Sequence, residues 1–86
     1  MQKVAQMVYI ATFYSHFGAI RFKRERKDIL TPQLMPVPRE LSSSCGTCVR
    51  FLAENFTPPA DPDGEIEQIV RETDGGYICI YRAQNS

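Results

Sequence analysis

Residues 65–73 read EIEQIVRET, and whether this stretch coils or extends decides what kind of molecule the chain forms. Ile66, Ile69 and Val70 fall at helical spacing, acidic residues occupy what would be the first turn, and Asp74, Gly75 and Gly76 supply a stop. The pattern predicts a helix. Beyond it, YICIYRA (residues 77–83) alternates simply and predicts a final strand, with Cys79 sharing a face with Tyr77 and Tyr81. Before it, AENFTPPADPDG (residues 53–64) holds three prolines and reads as a loop, with no chemistry of its own.

Further upstream, MVYIATFY (residues 7–14) is rich in β-branched and aromatic residues and ends at Ser15, a good helix N-cap. That is a strand followed by a helix over residues 16–29, with basic residues in its second half, where they suit the negative end of the helix. Thr31 and Pro32 stop the helix. QLMPVP (residues 33–38) then predicts a strand whose two prolines confine it to a sheet edge. In CGTCVRFL (residues 45–52), Thr47, Val49 and Phe51 alternate with Gly46, Cys48 and Arg50, which predicts a strand.

The order strand, helix, strand, strand, helix, strand is that of a ferredoxin-like α+β sandwich, an antiparallel sheet with two helices on one face. At 86 residues one domain spanning residues 1–86 is expected, with a single core that buries about 60–65% of the unfolded surface. Ten basic residues balance ten acidic ones, which removes the basic face expected of a nucleic-acid binder. Residues 7–14 are too short to span a membrane and residues 1–6 lack the pattern of a secretory signal, so a cytoplasmic protein is expected.

The chemistry concentrates in RELSSSCGTC (residues 39–48), a polar stretch carrying two of the three cysteines. In a reducing compartment a C-x-x-C pair points to metal or redox chemistry before a structural staple. Right-handed crossovers place the first strand beside the third, antiparallel, so Cys45 is expected near Ser15, His16 and the start of the first helix. Helix amides and an imidazolium there favour thiolate. Arg39 and Arg50 flank the same loop and are candidates to stabilise an anionic sulfur. Gly46 either lets the backbone approach a group on Cys45 or supplies a turn conformation.

Cys48 has two readings. If residues 46–51 are extended, Cys45 and Cys48 lie roughly 10 Å apart at about 3.3 Å per residue, beyond the roughly 7 Å limit for a disulfide. If the segment turns at Gly46 or opens a helix, Cys48 can resolve an oxidised Cys45. Cys79 reads as a strand cysteine, and His16 as either a surface residue or a base.

Over MPVPRELSSSCGTCVRF (residues 35–51), with YIATFYSHFGAIRFKRE before it and EIEQIVRETDGGYICIY after it, the sequence resembles a family of small bacterial domains described as selenium/sulfur carrier-like proteins. The family pattern maps onto Pro36, Pro38, Arg39, Glu40, Ser42, Ser43, Cys45 and Gly46. The resemblance implies that Cys45 carries the chalcogen as a persulfide or selenopersulfide between donor and acceptor proteins, without a cofactor. Cys48 falls where many relatives have a small or apolar residue, so a dithiol mechanism does not come with the resemblance. The loop over residues 53–64 is longer than usual for the family.

Three other readings stand beside carriage. Cys45 and Cys48 could form a thiol redox pair. Cys45, Cys48, Cys79 and His16 are formally a zinc set. The sheet face away from the helices, with Tyr77, Cys79 and Tyr81, could serve a non-catalytic interaction module or a homodimer. A turnover enzyme is not expected, for the sequence holds no Ser-His-Asp set and no phosphate-binding glycine loop.

Overall fold

The computed structural model describes residues 6–60 and 64–83; the expectations for residues 1–5 and for the loop at residues 61–63 lie outside the described residues. Strand β1 (Met7–Phe13) is followed by helix α1 (His16–Glu25), then β2 (Leu30–Pro36), β3 (Thr47–Ala53), β4 (Ile66–Thr73) and β5 (Gly76–Arg82). The strands form one antiparallel sheet in the order β2-β3-β1-β4-β5. The expected ferredoxin-like sandwich is therefore incorrect. One helix, not two, is present among the described residues, and EIEQIVRET is a strand.

The reason lies in the register. Thr12 faces Gln68, but Phe13 faces Ile66, so one step along β1 matches two along β4 and Glu67 is the extra residue of a β-bulge. The bulge breaks the period of two. Ile66 and Ile69, three apart, consequently share the helix-side core, while Val70 belongs to the cluster on the opposite face. A strand buried on both faces and interrupted by a bulge thus reproduces the apolar spacing of a helix. The β-branched content of Ile66, Ile69, Val70 and Thr73 suits the extended form.

The central strand β1 is paired on both sides, which accounts for its nearly continuous apolar run. Tyr9, Ala11 and Phe13 point to the helix side and Ile10 to the other. On the helix side Phe51 stacks on Tyr9 with ring centroids 5.5 Å apart, and meets Phe22 of α1 at 5.6 Å and Phe56 of the following loop at 5.1 Å. Each such aromatic pair adds about 0.5–1.5 kcal/mol to what burial alone gives.

Ser15 caps α1 as expected: its backbone is extended, with φ −142° and ψ 155°, and its Oγ accepts from Gly18 N–H at 3.1 Å. The helix ends at Glu25, shorter than the predicted 16–29, because Arg26 leaves helical geometry at ψ 131°. The Arg26 guanidinium pairs with Asp28 and lies over the rings of Phe22 and Phe56. α1 packs over β1, β2 and β3.

β2 is an edge strand, as expected, but it runs over Leu30–Pro36 rather than residues 33–38, so Pro32 lies inside it instead of stopping the helix and Pro38 lies beyond it. Pro32 falls in an irregular stretch where Leu30 faces Leu52 and Gln33 faces Arg50, beside Thr31 at φ 45°. β5 also carries an extra residue, Ile80, since Val70 faces Cys79 and Ile69 faces Tyr81. Tyr77 therefore packs with the face away from the helix and Tyr81 with the helix side. The expectation that Tyr77, Cys79 and Tyr81 share one face is incorrect for that reason.

The face away from the helix is partly closed by the chain itself. Ile10, Cys48 and Val70 are covered by Met35, Val37, Leu41 and Tyr77. Alongside them Arg50 pairs with Glu72, Nε to Oε2, at 3.0 Å. No helix among the described residues is long and apolar enough to cross a membrane.

Candidate functional site: the Cys45 loop

The ten residues between β2 and β3, 37–46, pass under the face away from the helix and reach the C-terminal end of the central strand β1. Leu41 N–H donates to Pro38 O at 3.0 Å, forming a turn, and the Leu41 and Val37 side chains anchor in the lower cluster. Three serines follow. Ser42 is exposed. The Ser43 hydroxyl donates to Phe13 O at 3.2 Å and accepts from Cys45 N–H at 3.4 Å. Ser44 donates twice to Glu67, N–H to Oε1 and O–H to Oε2, each at 3.0 Å. Beyond Cys45, Gly46 O accepts from Val37 N–H at 3.2 Å. The backbone on both sides of Cys45 is thus tied down.

Gly46 has φ +76° and is exposed; a Cβ there would meet nothing within 4 Å. Of the two sequence readings, the turn conformation is the one this geometry requires. The turn sends the chain into β3 with Cys45 above the sheet and Cys48 below. Cys45 is half-buried against the helix-side core, and its thiol donates to Thr47 O at 3.4 Å. Cys48 is fully buried in the opposite cluster, with Sγ 3.7 Å from Pro36 O. Burial, and then the neighbouring Cys45, pushes the Cys48 thiol up to about 11. At neutral pH it is held as the protonated thiol.

Of the other expected site residues, His16 is exposed, and its Nδ1 is 3.2 Å from Thr47 Oγ1. Thr47 links it to Cys45, since the Thr47 carbonyl takes the Cys45 hydrogen bond. Ser15 serves the helix as its cap. Arg39 is exposed. Arg50 does not face the loop sulfur: its guanidinium is engaged by Glu72 on the lower face. Cys79 is exposed on the edge strand β5, its thiol donating to Tyr81 O at 3.4 Å. No group of three His, Cys, Asp or Glu residues among those described stands close enough to hold a metal ion, so the formal zinc set is not assembled.

Sequence reasoning missed Thr47 and Glu67. The alternating pattern placed Thr47 at the start of β3, but nothing in it signals that its two oxygens serve His16 and Cys45. Glu67 was hidden by the mistaken helix.

The site is therefore a single half-exposed thiol on a tethered loop at the end of an antiparallel sheet. It has no metal cluster among the described residues and no second thiol on its own face. A family model described as "Putative Se/S carrier protein-like" matches residues 8–82, and the chain belongs to that family. No curated protein and no solved structure matches it.

Proposed function

We propose that the protein carries sulfur or selenium on Cys45, taking it from a donor protein and passing it to an acceptor. The Cys45 sulfur attacks the terminal sulfur of a donor persulfide R–S–SH. A new S–S bond forms to Cys45, the donor S–S bond breaks, and R–SH leaves with the proton that Cys45 gave up. The product is Cys45–S–SH, and no outside oxidant is consumed. Repetition of the same exchange on an acceptor thiol restores Cys45. With selenium, R–S–SeH gives Cys45–S–SeH by the same balance.

The observation that carries this reading is the placement of the two loop thiols. Cys45 is half-exposed on the helix side, while Cys48 is sealed on the opposite face with its proton held tightly. Carriage needs one accessible sulfur, whereas a dithiol exchange needs two that meet. Family membership supports the same choice.

The test is to incubate the reduced protein with a low-molecular-weight persulfide and weigh it intact. One added sulfur atom, mapped to Cys45 by peptide fragmentation, is expected. A mass loss of two hydrogens linking Cys45 to Cys48, with no sulfur gained, would overturn the reading in favour of thiol redox chemistry.

A further inference from the structure

Glu67 is the extra residue in the β4 bulge. Bulges re-aim a side chain out of the regular alternation and recur beside functional sites. Here the re-aimed carboxylate reaches the loop residue immediately before Cys45. Its two oxygens each take one Ser44 donor at 3.0 Å, a bidentate grip that fixes direction as well as distance. Ser43 is tied to the end of β1 and Gly46 to the start of the loop. Between these ties Cys45 is held by its own N–H to Ser43 Oγ and its thiol to Thr47 O.

We propose that Glu67 is a positioning residue for Cys45: by gripping Ser44 it fixes the backbone ahead of the thiol, so that the sulfur is presented from a set place against the helix-side core. The proposal rests on Cys45 being the reacting thiol of the preceding section. Without the grip, the segment holding Ser44 lifts from β4 and the half-buried sulfur loses its packing. Glutamine preserves both bonds, since its amide oxygen accepts from Ser44 N–H and its amide nitrogen donates to Ser44 Oγ. Alanine preserves neither.

The experiment is alkylation of the reduced full-length protein by iodoacetamide, with the rate at each cysteine read by peptide mass spectrometry. Glu67→Ala is expected to speed Cys45 about fivefold, the scale of losing two charge-assisted hydrogen bonds discounted for their exposure. Cys48 and Cys79 keep their wild-type rates, and Glu67→Gln restores Cys45 to within about twofold of wild type. Ser44→Ala, a loop change with little bearing on folding, gives a smaller increase in the same direction and carries the test should Glu67→Ala fail to fold. An unchanged Cys45 rate in both variants overturns the proposal. So does a joint rise at Cys45 and Cys48, which would report general loosening, or a Glu67→Gln protein that behaves like the alanine variant. Alkylation requires no persulfide, so failure of sulfur loading with these rates intact would sink the carrier function and leave the positioning role standing.

Discussion

Cys45 and Cys48 are separated by only two residues yet occupy opposite chemical worlds. Cys45 ends a run of polar residues whose hydrogen bonds go to β1, β4 and the loop itself; Cys48 opens a strand and is sealed among Ile10, Val70 and Met35. The difference is made by one left-handed glycine, Gly46, which turns the chain from loop to strand and puts the sheet between the two sulfurs. A C-x-x-C spacing is thus no evidence of a dithiol unless the turn between the cysteines leaves both side chains on one face. Here the turn at Gly46 leaves them on opposite faces, and the pair divides into a presented thiol and a core residue.

The sharpest way to break this contrast is to remove each sulfur in turn. Cys45→Ser should abolish sulfur loading from a persulfide donor, while Cys48→Ser should load as wild type, both measured by intact mass. Stability should respond the other way round. In urea unfolding, Cys48→Ser should lose about 1–3 kcal/mol for a hydroxyl placed in an apolar site, and Cys45→Ser about 0.5 kcal/mol or less.

Titration sharpens the contrast further. The folded protein holds the Cys48 proton more tightly than the unfolded chain does, with a pKa of about 11. The stabilisation from Cys48 is therefore complete below the ordinary thiol range and is lost as pH rises through about 11. Wild type should lose stability over that interval relative to Cys48→Ala, and the difference between their unfolding curves measures it.

Smaller effects test the parts that create the contrast. Gly46→Ala places a Cβ in open space but at φ +76°, so it should cost about 1–2 kcal/mol from backbone strain alone and perturb Cys45 alkylation more than Cys79 alkylation. Ser15→Ala removes the helix cap and should cost about 1 kcal/mol, seen as a lowered Tm, with Cys48 protection unchanged.

The parts of this molecule legible in the sequence are those whose local signals agree with their surroundings. Ser15 is a cap, Pro36 marks an edge strand, and β3 alternates; β1 and β3 pair antiparallel as expected. The Cys45 loop could also be placed at the end of β1, because that adjacency follows from the pairing. β4 was not legible. Its bulge at Glu67 and its burial on both faces brought Ile66, Ile69 and Val70 into helical spacing, and periodicity alone cannot separate that from a helix. With β4 misread, Glu67 became a first-turn acid, and its contact with Ser44 had no local trace. The bulge at Ile80 likewise hid the separation of Tyr77 from Tyr81.

The placement of α1 sets up a gradient of opening across the sheet. β1 is bonded on both flanks and roofed by the helix, whereas β5 is bonded on one flank and lies outside the helix's cover. Amide exchange should accordingly release β5 first and β1 last. Glu67 stands between these extremes, its carbonyl taking Ala83 N–H from beyond β5 while its carboxylate holds the thiol-bearing loop, so fraying that starts at the far edge of the sheet meets the anchor of the Cys45 loop before it meets the core.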